Sequence, residues 1–171
     1  SNMVEISQKG AAVIDYPASQ TSWSVPQAED EEYEQAYMKD VDGNVIYNSN
    51  MSVDERAQAA CKAALKYLKK AAGDAEGKVT LEFALGTHNH YDHVGTFEAI
   101  ANDPDITVKT FYIKPVNREI AHEYEYNGWG IEATYADTVK AFQNRGTVVT
   151  SEIPSEPFKF GDFTLTFYNT A

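Results

Sequence analysis

The chain has a single cysteine, Cys61, in 171 residues. A lone thiol excludes an intrachain disulfide and sets aside the small disulfide-stapled folds. Basic residues are scarce as well: 14 Lys and Arg face 26 Asp and Glu, for a net charge of −12. Affinity for nucleic acid comes largely from neutralising phosphates with Lys and Arg. No basic stripe occurs, so a nucleic-acid partner is disfavoured. No apolar run approaches the roughly 20 residues that a membrane-spanning helix needs. No internal repeat or low-complexity tract is present, which sets repeat architectures aside. The acidic run Glu29-Asp30-Glu31-Glu32-Tyr33-Glu34 lacks the Asp-x-Asp-x-Asp-Gly spacing of a calcium loop and reads as a solvated segment.

What is present is a single domain's worth of alternating elements. Hydrophobic residues make up 43% of the chain, enough for one core. Ala11 to Asp15 reads as a short buried strand, and Val41-Asp42-Gly43-Asn44-Val45 carries hairpin-turn chemistry. Ser52-Val53-Asp54-Glu55 is a capping box that opens a helix. Ala57, Ala60, Cys61, Ala64, Leu65 and Leu68 recur at helical spacing, and Gly73 stops the run. Val79 to Leu85 alternates like a strand. A short helix ends near Asn102-Asp103-Pro104, and Ile106 to Ile113 is a further strand. Ile131, Tyr135, Val139 and Phe142 mark a second amphipathic helix, closed by Gly146, and Thr147 to Thr150 is a short strand. Phe158-Lys159-Phe160 and Phe163 to Phe167 flank the two-residue turn Gly161-Asp162. This order predicts an α/β unit whose mixed sheet is parallel in the middle and carries helices at about Ser52–Ala72 and Gly130–Arg145.

Histidine is also rare, which makes its placement informative. Three of the four histidines fall in Gly86-Thr87-His88-Asn89-His90-Tyr91-Asp92-His93-Val94-Gly95. Imidazole and carboxylate are the usual ligands of zinc and its divalent neighbours. The run follows a strand, and the carboxyl ends of strands are where open α/β sheets place their sites. The bland alternative is a polar loop in which the four residues meet by accident.

This segment resembles the signature of the metallo-β-lactamase superfamily of mostly dinuclear metal hydrolases. His88, His90, Asp92 and His93 fit its ligand positions, with Thr87 leading and Gly95 trailing. The likeness continues in layout through Phe111-Tyr112-Ile113-Lys114-Pro115, the helix around Tyr135 to Phe142, Gly146-Thr147-Val148-Val149 and Phe158 to Phe163. It looks most like phosphorylcholine esterase and the hydrolase domains of competence proteins. The resemblance spans Ala11 to Ala171 in layout, and its specific part is Thr87 to Gly95.

The resemblance implies a metallo-β-lactamase-like αββα sandwich, with His88 and His90 on a first zinc and Asp92 and His93 on a second. Asp92 would also act in catalysis, orienting the attacking hydroxide or accepting its proton. Asp15 would orient a ligand histidine, although Asp15-Tyr16-Pro17 replaces the family's Asp-x-Gly. The family's third histidine, bridging aspartate and late histidine have no counterpart here. The expectation is therefore a tag remnant at Ser1-Asn2 followed by the N-terminal half of the fold in residues 3–171. Its metal site would be partial and weak, with little turnover by these residues alone. The implied substrate is a small-molecule or teichoic-acid-type phosphodiester at the cell surface or outside the cell. The alternatives are another ester, a nucleic-acid phosphodiester, or a non-catalytic binding domain that keeps the histidine loop.

Other residues have plainer expectations. Cys61 should be buried and inert, and His122 exposed. Tyr112, Tyr124, Tyr126, Trp129 and Tyr135 are expected to pack in the core, with a cage for a quaternary ammonium as the alternative. Glu119, Glu123 and Glu125 fit a charged helix face and a complement to a cation equally well. Phe158, Phe160, Phe163, Leu165 and Phe167 are expected to leave an apolar surface and sheet edge through which copies self-associate.

Overall fold

The computed structural model describes residues 3–7, 10–14, 39–46 and 51–168. Ser1-Asn2, Asp15 and the acidic run from Glu29 lie outside the described residues. The chain forms β1 (Met3–Ser7), β2 (Gly10–Ile14), α1 (Val53–Ala72), β3 (Val79–Leu85), α2 (Tyr91–Val94), α3 (Phe97–Asn102) and β4 (Ile106–Tyr112). There follow α4 (Glu123–Asn127), α5 (Ile131–Asn144), β5 (Val148–Thr150), β6 (Phe158–Phe160) and β7 (Phe163–Leu165). Five strands make one sheet in the order β1-β2-β3-β4-β5. β1 is antiparallel to β2, and the other pairings are parallel. The expected α/β class with parallel centre and flanking helices is observed.

Local chemistry sets the helix ends. The Ser52 hydroxyl accepts from the Glu55 amide at 3.2 Å, and the Glu55 carboxylate accepts from the Ser52 amide at 2.7 Å. At the other end of α1 the Gly73 amide donates to the Lys69 carbonyl, and a Cβ on Gly73 would lie 2.3 Å from that carbonyl oxygen. The hairpin expected around Asp42-Gly43 is a tight turn closed by one bridge, Lys39 with Val45.

Side-chain alternation splits the core into two layers. On one face, Val13, Val79, Leu81, Ala84, Ile106, Val108 and Phe111 pack with Cys61 and Leu68 of α1, Phe97 and Ile100 of α3, and Phe142 of α5. On the other, Ala12, Phe83 and Leu85 pack with Phe160 of the hairpin and, more peripherally, with Phe158, Leu165 and Phe167. Both faces of the central strands are thus covered, as parallel sheets require. Simple alternation would place Leu81, Phe83 and Leu85 on one face. The register of β2 on β3 instead shifts between Ala11 and Ala12, so that Ala11 opposes Leu81 and Ala12 opposes Phe83. That irregularity at Glu82 turns Phe83 and Leu85 toward the hairpin.

One expectation needs correction. The C-terminal hairpin forms a separate two-stranded sheet laid over the second face. Its phenylalanines are not a bare apolar surface, because Phe160 is buried, Phe158, Leu165 and Phe167 are part-buried, and Phe163 is the exposed one. Cys61 is buried, as expected. Among the described residues no helix is long and apolar enough to cross a membrane.

An ion-pair network ties the amino ends of the strands to α1. Lys69 lies 2.9 Å from Asp103 and 3.0 Å from Asp105, and Lys78 reaches Asp105 at 2.5 Å. Lys78, then Lys69, holds the Asp105 carboxyl below its usual range, while Asp103, then Asp105, raises the Lys69 ammonium. A depressed carboxyl contributes stability above its unfolded pKa of about 3.9 and loses it as pH falls. A raised ammonium contributes below its unfolded pKa of about 10.4 and loses it as pH rises. The stability difference between the native chain and Asp105→Asn, from urea midpoints, should therefore be steady between about pH 5 and 9. It should shrink on the acid side as Asp105 protonates. Phe142→Ala should lower unfolding free energy by about 3–5 kcal/mol, since Phe142 is fully buried against Phe97 and Phe111. Val148→Ala at the exposed edge should change it by less than about 0.5 kcal/mol.

Candidate functional site

β3 delivers the chain to Gly86, whose amide donates to the Tyr112 carbonyl at 2.9 Å and extends the sheet by one residue. A Cβ at Gly86 would lie 2.6 Å from Val94 Cγ1 and 3.4 Å from Ile113 Cδ1. The loop therefore closes back on its own origin, and only glycine leaves room for buried Val94. His90 is the N-cap of α2, and its carbonyl accepts from the amides of His93 and Val94 at 3.0 and 3.1 Å. The Thr138 hydroxyl of α5 donates to the Val94 carbonyl at 3.3 Å and holds the end of α2. Asn89 is buried, and its Nδ2 donates to the Lys114 carbonyl at 2.9 Å, tying this loop to the one after β4. The Asn89 Oδ1 is buried and has no hydrogen-bond partner among the described residues.

This framework gathers the three loop imidazoles. The rings of His88 and His93 lie 3.9 Å apart and those of His88 and His90 4.7 Å apart, centre to centre. Thr87 Oγ1 and His88 Nδ1 are 2.9 Å apart. His90 is braced by a second segment: its Nε2 lies 2.7 Å from Glu125 Oε1, and its ring stands perpendicular to Trp129 at 5.2 Å. The other Glu125 oxygen accepts from the His122 amide at 2.5 Å. His90, then the His122 amide, keeps the Glu125 carboxyl below the usual carboxylate range. A cavity of about 560 Å³ opens beside these groups, lined by His88, Asn89, His90 and Glu125 on one side and by Pro115, Val116 and Ile120 among its apolar walls.

The His88 ring thus neighbours those of His90 and His93, and Asp92 lies in α2, its side chain outside the described residues. Among the described residues no three His, Cys, Asp or Glu side chains converge as a group able to hold an ion. The chemistry of the donors, three imidazoles in one turn with a carboxylate residue among them, fits zinc or a neighbouring divalent cation.

The aromatic expectation is corrected in part. Tyr135 packs against the main core, and Tyr112 sets its ring 5.8 Å from Phe83. Tyr124 and Trp129 are 53% and 56% exposed, however, and meet edge to face at 4.8 Å beside His90. The Tyr126 ring lies under the Arg118 guanidinium, 4.7 Å from its centre. His122 is exposed and stacks on Tyr124. Of the three glutamates, only Glu125 reaches the histidine loop. Neither that pairing nor the Asn89 tie was visible in sequence, because both join segments with no shared periodicity. Neither a family model nor a curated protein sequence matches the chain.

Gly86→Ala should cost about 1–3 kcal/mol by overpacking against Val94. The loop would have to shift to relieve the contact, so the His88 and His93 imidazole NMR signals should move together. A variant of native stability with unmoved signals would show that the close approach is not needed.

Proposed function

We propose that the protein is a metal-dependent hydrolase of the metallo-β-lactamase fold, acting on a phosphodiester of the phosphorylcholine-ester kind. The observation that carries this reading is the gathering of His88, His90 and His93 at the carboxyl end of a central parallel strand, beside a cavity. A helix layer, a five-stranded sheet and a small second sheet on its far face suit an αββα sandwich. The acidic balance of the chain weighs against a nucleic-acid phosphodiester. A cell-surface or extracellular setting belongs to the same reading.

His88 with His90 would hold one zinc, and Asp92 with His93 a second. The chemistry such a pair supplies is acidification of a water and neutralisation of charge developing on the phosphoryl oxygens. The chain's own groups do the rest. Asp92 would orient the attacking water or accept its proton. The Gly86–Val94 contact and the Thr138 bond fix the turn that carries His90 and His93. Pro115, Val116 and Ile120 give the cavity an apolar wall. Two protein donors per ion are fewer than the three or four usual for zinc, so these four residues alone would hold zinc weakly.

Zinc titrated into the dialysed chain should bind measurably but weakly, and His90→Ala should abolish the heat of binding. Release of p-nitrophenol from p-nitrophenylphosphorylcholine, however slow, should follow zinc occupancy and vanish in the same variant. A chain indifferent to zinc would overturn the metal reading. Zinc binding with every phosphodiester left intact would favour a non-catalytic binding domain.

A further inference from the structure

We infer that Glu125 is the positioning carboxylate for His90, holding the imidazole as the Nε2–H form and leaving Nδ1 as its lone-pair nitrogen. The inference rests on the metal-site reading above and adds to it a residue outside the histidine loop.

The geometry is specific. Glu125 Oε1 sits 2.7 Å from His90 Nε2 across a separation of 35 residues. An ionised carboxylate only accepts hydrogen bonds, so the nitrogen that faces it carries the proton. In a neutral imidazole the opposite nitrogen then holds the lone pair that a cation needs. Histidines that bind metals characteristically donate their other N–H to a carboxylate or carbonyl, which fixes the tautomer and raises ligand basicity. Helix capping alone does not account for Glu125. The cap uses Oε2, which accepts from the His122 amide, and Oε1 is spent on His90. The Glu125 side chain is 16% exposed and that of His90 31%, so the pair is half-buried. Trp129 closes the arrangement, standing at 90° to the His90 ring, and its own amide is held by the Tyr124 carbonyl at 3.0 Å. α4 and the turn after it thus grip one imidazole from two sides.

The test compares the native chain with Glu125→Gln and Glu125→Ala, using zinc alone as the probe. Two-dimensional ¹⁵N–¹H spectra of the metal-free chains report the His90 tautomer directly, with His88 and His93 as internal controls for folding. The native chain and Glu125→Gln, whose amide oxygen still accepts, should both show the Nε2–H form. Glu125→Ala should show a mixture of tautomers, and its zinc affinity should fall by about 10- to 100-fold. Unchanged tautomer and affinity in Glu125→Ala would overturn the inference. So would Glu125→Gln losing as much affinity as Glu125→Ala with its tautomer intact, since that pattern marks a direct ligand. If the native chain takes up no zinc, the metal reading fails by itself, and the tautomer comparison then decides whether Glu125 sets the ring.

Discussion

The absence of a side chain at Gly86 is the constraint on which the site depends. β3 must end, reverse and begin a helical turn within a few residues, and buried Val94 fills the space that a Cβ would occupy. Because Val94 is pinned there, the turn before it is pinned too, and His90 and His93 come to one side of it. Thr138 of α5 and Asn89 reinforce the arrangement from two directions, one through the Val94 carbonyl and one through the Lys114 carbonyl. A polar, histidine-rich loop would otherwise have little reason to hold one shape. Here it borrows rigidity from the apolar layer beneath it.

The two ends of the sheet carry different groups. At the amino ends of β3 and β4, Lys69, Lys78, Asp103 and Asp105 form a network that locks α1 to the sheet. At the carboxyl ends lie the imidazoles, Glu125 and the cavity. The division follows from chain direction. Parallel strands put all their outgoing loops at one end, so residues distant in sequence meet there. The loop after β3 and the segment after β4 meet at His90 for that reason, and the wider exposure of Tyr124 and Trp129 follows from their place on that rim rather than over a helix face.

Much of the architecture was legible from local chemistry. The capping box at Ser52, the stop at Gly73, the strand ending at Leu85, the helix running to Asn144 and the Gly161-Asp162 turn each depend on contacts within a few residues. The fate of the β6–β7 phenylalanines was not legible, because alternation says that a strand has an apolar face but not what covers it. The shift at Glu82 was hidden for a related reason. It shows only in the pairing of β3 with β2, which sequence spacing does not encode, and it goes with Phe83 and Leu85 facing the hairpin.

The sequence by itself determined the α/β class, the limits of α1 and α5 and the closeness of His88, His90 and His93 along the chain, since those follow from period, capping and spacing within short stretches. Only the tertiary structure decided that Glu125 meets His90, that Asn89 ties two loops, and that Tyr124 and Trp129 stand at the rim instead of in the core. Those contacts join residues separated by a strand and more. Their formation depends on where the packed sheet sets the ends of β3 and β4, which local sequence does not specify.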